Sequence, residues 1–106
     1  MTTYSLQRTG NRSCSVLLAG DLTASSVPGL QAELKQQLAS GTDEVVFDLA
    51  ATGILDSSGI GLLIAAANSL GRQSGRVRVV NASPEICQLL QSMRLTNRLN
   101  VTGRNA

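Results

Sequence analysis

The stretch Asp56-Ser57-Ser58-Gly59-Ile60-Gly61-Leu62-Leu63 lies between a strand-like run and an apolar helical segment, and it decides the fold. It predicts a helix N-terminus, because polar capping residues precede apolar residues at helical spacing. Backbone N–H groups point outward at such a terminus, and the positive end of the helix dipole favours negative charge. The serine hydroxyl of Ser57 is therefore either a plain N-cap or a phosphorylation site.

The segments before this stretch predict strands and one helix. In chain order they are strands at Tyr4–Thr9 and Ser13–Ala19, a helix capped by Ser25 or Ser26, and a strand at Val45–Leu49. Gly10-Asn11 indicates the turn of a hairpin between the first two strands. Pro28 suits the first turn of the helix, and Gly41 ends it. The compact apolar strand predicts burial on more than one side of the sheet.

The segments after it continue the alternation. They are a helix at Ser57–Gly71, a strand at Arg76–Val80, a helix starting at Ser83-Pro84-Glu85 with an apolar face of Ile86, Leu89, Leu90 and Met93, and a short strand at Leu99–Thr102. Strands separated by single helices imply right-handed crossovers. The prediction is one α/β domain over residues 1–106, with a mixed, mostly parallel sheet of four to five strands and three helices packed on it.

Composition excludes several classes of function. The chain has no histidine, so no Ser-His-Asp or Cys-His site and no imidazole metal ligand is available. We expect no metal, no cofactor and none of the enzyme classes that depend on histidine. Cys14 and Cys87 have no CxxC spacing and are expected to be reduced core thiols.

Charge and hydropathy exclude further partners. A net charge of +2 and only two aromatic residues argue against direct binding of nucleic acid. Arg72, Arg76 and Arg78 form a small basic cluster, interpreted as a solvated helix end and strand edge, with a contact patch as the alternative. The start of the chain lacks signal-peptide features, and the apolar run Ile60–Ala67 is too short to cross a bilayer. These features predict a cytoplasmic protein with no membrane partner.

The helix over Ser57–Gly71 is apolar on two sides. One side, which includes Ile60 and Leu63, is expected to face the sheet. The opposite side carries no charge, which is unusual for a solvent-facing stripe. Two interpretations remain open: neighbouring helices cover this side, or it is a partner-binding patch. The second interpretation assigns partner binding to Ser58, Gly61, Leu62, Ala65, Ala66 and Ser69.

The whole chain resembles the STAS domain family, and more narrowly the stand-alone bacterial anti-sigma factor antagonists. The resemblance rests on Gly20-Asp21-Leu22, on Val45-Val46-Phe47-Asp48-Leu49 and, most specifically, on Asp56-Ser57-Ser58-Gly59-Ile60-Gly61. It implies that the unphosphorylated protein binds an anti-sigma factor that is also a GHKL-type serine kinase, which frees the sigma factor. Phosphorylation then ends the interaction, and a PP2C-type phosphatase restores it. By motif position the phosphorylated residue is Ser57, with Ser58 as the fallback.

The resemblance also implies that Asp21, Thr23, Asp56 and Gly59 support the phosphorylated serine. The family often has Gly-Glu-Leu-Asp after the second strand, whereas this chain has Gly20-Asp21-Leu22-Thr23. Thr23 therefore replaces a carboxylate, and its hydroxyl is expected to be able to hydrogen-bond Ser57. The short C-terminal segment leaves little room for a final helix, and dimerisation through an exposed edge stays open.

Two other functions fit the same residues. The chain is alternatively an adaptor subunit of a lipid-transport ABC system that binds the transporter ATPase without a phosphorylation cycle. A third hypothesis is a domain that binds a nucleotide or another small anion at the N-terminus of the helix that begins at Ser57.

Overall fold

The computed structural model describes residues 4–104, which form a five-stranded sheet and three helices. The elements are β1 (Tyr4–Arg8), β2 (Ser13–Leu18), α1 (Val27–Ala39), β3 (Glu44–Asp48), α2 (Ser57–Gly71), β4 (Arg76–Ala82), α3 (Pro84–Ser92) and β5 (Val101–Gly103). The strand order is β1-β2-β3-β4-β5, with β1 antiparallel to β2 and every other pair parallel. The predicted element order and fold class are confirmed.

All three helices pack on one face of the sheet. The parallel strands follow one another in both sequence and space, so right-handed crossovers place each connecting helix on the same side. Burial alternates accordingly, and the core side carries fully buried residues such as Val16, Phe47 and Val79. The expectation that the strand at Val45–Leu49 is buried on more than one side is wrong. Val46 on its other face is only half-buried, because no helix covers that face.

The ends of the helices follow the capping residues. Gly41 takes a φ of +98°, which a residue with a side chain rarely adopts, directly after α1. Ser26 is the N-cap residue of α1, although its hydroxyl does not cap the helix. Ser83 does cap α3, because its Oγ accepts a hydrogen bond from the Ile86 N–H at 3.2 Å.

Some predicted details are wrong at the periphery. Leu89 and Met93 of the predicted apolar face of α3 are exposed, because α3 packs against β4 and the edge strand β5 through Ile86 and Leu90. β5 begins at Val101 because the preceding residues form turns, with the Leu99 N–H donating to the Leu95 carbonyl at 2.9 Å. The predicted hairpin is confirmed, since β1 and β2 pair antiparallel; four residues connect them, and neither Gly10 nor Asn11 has a positive φ.

The two cysteines differ in environment. Cys14 lies in the core, where burial raises the pKa of its thiol, and Cys87 is half-buried. Both are free thiols. Within residues 4–104, no helix has the length and the apolar character needed to cross a membrane.

Candidate functional site

Asp56, and not Ser57, caps helix α2. Asp56 has extended backbone angles, and its Oδ1 accepts a hydrogen bond from the Gly59 N–H at 3.0 Å. Its Oδ2 accepts from the Ala24 N–H at 3.2 Å, which ties the start of α2 to the connection between β2 and α1. One carboxylate thus satisfies two backbone donors from two segments. The N-cap interpretation of Ser57 is wrong, because Asp56 occupies that position.

Ser57 is the first residue of α2, and it is exposed. Over the described range 4–104, its hydroxyl makes no hydrogen bond to another residue. Ser58 is half-buried, so the two serines differ in accessibility. The structure therefore presents Ser57 as a hydroxyl that has no structural task at a helix N-terminus, where added negative charge is tolerated.

Gly59 allows α2 to approach the chain segment that follows β2. A Cβ atom on Gly59 would lie 2.4 Å from the Leu22 carbonyl oxygen and 2.8 Å from Leu55 Cδ1. Leu22 pairs with Leu55 in a parallel bridge, and the Leu22 N–H donates to the Ile54 carbonyl at 3.0 Å. Gly59 thus supports the site by close packing. Gly61 has open space at the same place and is exposed.

Asp21 shapes the loop before α2. Its Oδ1 accepts hydrogen bonds from the Gly53 N–H at 3.1 Å and the Ile54 N–H at 2.8 Å. These bonds hold Ile54 in a fixed position with 58% of its surface exposed, close in sequence to Ser57. Sequence reasoning missed Ile54, although a large apolar residue directly after a glycine in a loop was a usable signal.

Thr23 makes no hydrogen bond to Ser57 within residues 4–104. Its Oγ1 lies 3.2 Å from Ser25 Oγ, and its N–H donates to Ser26 Oγ at 3.1 Å. The expectation of a hydrogen bond between Thr23 and Ser57 is therefore not met. Thr23 instead belongs to a turn of hydroxyl side chains that leads into α1.

The second apolar side of α2 is partly covered by α1. Leu62 and Ala66 are 5% and 6% exposed, and they line a cleft with Leu34 and Leu38 of α1. The interpretation that a neighbouring helix covers this side is confirmed at Leu62 and Ala66, and their assignment to a partner-binding patch is wrong, because α1 packs along this side of α2. Ser58 and Ser69 are half-buried at the margins of the contact.

A narrower strip of α2 remains open to solvent. It consists of Ser57, Gly61, Ala65 and Asn68, and we call it the exposed flank. These residues recur at intervals of three or four, so they lie on one side of the helix. Over its first three turns the flank carries no side chain larger than serine. Two of the predicted partner-binding residues, Gly61 and Ala65, lie within it.

The edge of the sheet around Ser57 is acidic. Asp21, Asp48 and Asp56 follow or flank the carboxyl ends of the parallel strands, and Glu85 lies in the first turn of α3. The basic side chain at this edge, Arg104, donates to the backbone carbonyls of Leu49 and Ala50. A phosphate on Ser57 would therefore add charge to a surface that is already negative.

Comparisons with known proteins give one family and a consistent set of folds. The family model described as "Mlab, STAS domain" matches residues 5–102. No curated protein matches the sequence. Solved structures do match, and at identities of 15% to 22% they show the fold.

Three solved structures illustrate the similarity. The Bacillus cell fate determinant SpoIIAA in its phosphorylated form has a TM-score of 0.80 at 19% identity, over 96% of this chain and 91% of that chain. An anti-sigma factor antagonist from Mycobacterium paratuberculosis has a TM-score of 0.78 at 22% identity, over 93% and 83%. An anti-sigma-factor antagonist (STAS) domain protein from Planctomyces limnophilus has a TM-score of 0.79 at 15% identity, over 99% and 92%.

Proposed function

The chain belongs to the STAS domain family, and on that premise we propose that it is an anti-sigma factor antagonist controlled by phosphorylation. Unphosphorylated, it binds in the cytoplasm to an anti-sigma factor that is also a GHKL-type serine kinase, and the sigma factor is released. Phosphorylation of Ser57 ends this interaction, and a PP2C-type phosphatase restores it. The protein acts as ligand and substrate rather than as an enzyme.

The availability of the Ser57 hydroxyl carries the proposal. Asp56 satisfies the capping requirement of α2, and Ser57 is exposed at the first helical position. A phosphate on Ser57 would therefore leave the cap in place. The positive end of the helix dipole accommodates the added charge of about −1.5 to −2, so the fold survives the modification.

The exposed flank supports the same proposal. Its small side chains allow another protein to approach α2 closely, and Ser57 lies at its N-terminal end. A phosphate there would be buried without a partner in the complex, beside Asp56, and an unpaired buried charge costs several kcal/mol. A loss of about 2.7 kcal/mol weakens a complex by two orders of magnitude, which is enough for a switch.

The structural neighbours are consistent with such a switch. Several of them are described as anti-sigma factor antagonists. SpoIIAA is described in an unphosphorylated and in a phosphorylated form, and both match this chain, with TM-scores of 0.75 and 0.80 at 19% identity. Phosphorylation is thus compatible with this fold in a related protein.

A second candidate function has support of its own. The description of the matching family model names Mlab and not an anti-sigma factor antagonist. Thr23 also stands where the antagonists often have a carboxylate, and it pairs with Ser25. The candidate is a STAS adaptor that binds the ATPase of a lipid-transport ABC system through the same surface, without phosphorylation.

The third hypothesis, a small-anion site at the start of α2, is the least favoured. The Gly59 N–H is already bonded to Asp56, and this edge of the sheet carries further carboxylates such as Asp21. A free anion would be repelled there, whereas a covalent phosphate does not depend on local affinity.

The test uses Ser57→Ala and Ser57→Asp proteins as baits in a lysate of the source organism, with Ser58→Ala as the control. The proposal predicts that the alanine form retains a kinase-like ATPase and that the aspartate form loses it, while Ser58→Ala behaves as the wild type. Retention of a transporter ATPase by all three forms would contradict the switch and establish the adaptor. Enhanced retention of the kinase by Ser58→Ala, with Ser57→Ala at the wild-type level, would move the phosphorylation site to Ser58.

A further inference from the structure

The edge of the sheet opposite Ser57 is strongly basic. Six arginines gather at the amino ends of the parallel strands, namely Arg8, Arg12, Arg72, Arg76, Arg94 and Arg98. Among the described residues 4–104, the carboxylates at this edge are Asp43 and Glu44. The molecule therefore has an acidic edge at the N-terminal end of α2 and a basic edge at its C-terminal end, although its net charge is only +2.

A pocket at this edge collects three guanidinium groups. It has a volume of about 410 Å³, opens to solvent, and is lined by Arg72, Arg76 and Arg98 together with Asn68 and the small residues Gly71 and Gly75. The three arginines come from the end of α2, the start of β4 and the connection between α3 and β5. No carboxylate lines this pocket, counting the residues that the structure describes.

The three arginines retain donors that face no protein acceptor. Arg76 uses Nε to bind Glu44 Oε2 at 2.8 Å, which leaves its terminal amino groups free. Arg98 donates to Asn68 Oδ1 from one terminal amino group, and its other N–H groups have no hydrogen-bond partner within residues 4–104. Arg72 is exposed and has no side-chain hydrogen bond within residues 4–104.

A neighbouring groove shows that the excess of positive charge is local. That groove, of about 440 Å³, also contains Arg76, but it pairs Arg12 with Asp43 at 2.7 Å and Arg76 with Glu44. Its charges balance. In the pocket, by contrast, neither Arg72 nor Arg98 is paired with a carboxylate of the described residues 4–104, so two of its three arginines carry uncompensated positive charge.

The turn between α2 and β4 fixes the pocket. A Cβ atom on Gly75 would lie 2.3 Å from the Asp43 carbonyl oxygen, so only glycine fits there. Ser74 has a φ of +61°, and the Arg76 N–H donates to the Asp43 carbonyl at 2.8 Å. Arg72 and Arg76 therefore stand on either side of a tight turn that the chain holds in one conformation.

We propose that this pocket binds a diphosphate group. Guanidinium groups form paired, charge-assisted hydrogen bonds to phosphate oxygens, and the pocket offers the guanidinium groups of Arg72 and Arg98 together with the terminal amino groups of Arg76. No aromatic residue lines the described pocket, so recognition rests on the phosphates rather than on a base. Free pyrophosphate and a nucleoside diphosphate share this chemistry.

The proposed pocket is independent of the Ser57 switch. It lies at the C-terminal end of α2, and a 15-residue helix is about 22 Å long. A partner on the N-terminal part of the exposed flank and a diphosphate in the pocket do not overlap. The assignment goes beyond the proposed function and does not rest on it.

The test is calorimetric titration of the full chain with pyrophosphate and with ADP at low ionic strength, where electrostatic binding is strongest. We expect a pyrophosphate Kd below about 1 mM, and at least a tenfold weakening in the double variant Arg72→Gln/Arg98→Gln. Arg78→Gln is the matched control, because Arg78 is exposed on the same strand as Arg76 but does not line the pocket. Similar affinities for both ligands indicate the free diphosphate, and tighter ADP binding indicates the nucleotide.

Three results would overturn the proposal. They are no binding of either ligand to the wild type, unchanged binding in the double variant, and an equal loss in the control, which would indicate a diffuse charge effect. Thermal melting of each variant shows that it is folded, and all three substituted positions are exposed.

Discussion

Both flanks of α2 lack charged residues, but one is packed against the rest of the domain and the other faces solvent. On the buried flank, Gly59, Leu62 and Ala66 pack against the chain after β2 and against α1. The exposed flank is as free of charge, yet it faces solvent. The position of α1, and not the composition of α2, therefore decides which small residues of α2 are available to a partner.

The largest effect should come from placing a charge on each flank. Leu62→Lys is expected to lower the free energy of unfolding by about 3 kcal/mol, because it removes a buried leucine and brings an ammonium into an apolar cleft. Ala65→Lys should change stability by less than about 0.5 kcal/mol, because its position is exposed. Urea denaturation of both proteins measures the two values.

The same pair separates folding from binding. The Ala65→Lys protein, used as a bait, should not retain the kinase that the Ser57→Ala bait retains, because the lysine side chain blocks the exposed flank. A stable Leu62→Lys protein would contradict the burial of Leu62, and an unfolded Ala65→Lys protein would contradict the exposure of Ala65.

Substituting the two glycines at the start of α2 should give the next largest difference in stability. Gly59→Ala should destabilise the protein by about 1–3 kcal/mol, because the new methyl group meets the Leu22 carbonyl oxygen. Gly61→Ala should leave stability unchanged or raise it by up to about 1 kcal/mol, since alanine favours the helix and finds open space. Thermal melting distinguishes the two, and equal effects would show that Gly59 is not a packing requirement.

Substitutions of Asp56 and Ser57 should show a smaller difference in stability, because Asp56 caps α2 and Ser57 does not. Asp56→Ala should cost about 1 kcal/mol, because it removes the cap on Gly59 and the bond to Ala24. Ser57→Ala should cost less than about 0.5 kcal/mol, since the hydroxyl makes no bond to another described residue. Chemical denaturation checks both values. A larger loss for the Ser57 variant would mean that the serine has a structural role.

Ile54 should show no effect on stability and a clear effect on binding. It is 58% exposed beside the exposed flank, and Asp21 holds its backbone. Ile54→Ala should leave the melting temperature within about 2 °C and weaken kinase binding about tenfold, as expected for an apolar anchor at an interface. Leu89→Ala, also exposed but on α3, is the matched control and should leave binding unchanged.

Local signals in the sequence were sufficient for the order of the elements. Ser83-Pro84 gives the start of α3, and Gly41 gives the end of α1, because caps and positive φ values depend on a few neighbouring residues. Alternation in β4, with Val77 and Val79 buried, identifies a strand. These features do not depend on what lies across the domain.

Tertiary relations were not accessible in the same way. The burial of Leu62 depends on where α1 packs, and the half-exposure of Val46 depends on all helices sharing one face. The pairing of Thr23 with Ser25 depends on the turn between β2 and α1. Ser57 and Asp56 were identified correctly as neighbours at a helix start, but only the structure assigns the cap to Asp56.

The most direct test of the switch measures the affinity of the retained kinase for this protein before and after treatment with ATP, with the phosphate mapped by peptide mass spectrometry. We expect one phosphate on Ser57, a melting temperature unchanged within about 2 °C, and at least a hundredfold increase in Kd, which corresponds to about 2.7 kcal/mol. A phosphate on Ser58, or a Kd that does not change when Ser57 is phosphorylated, would contradict it.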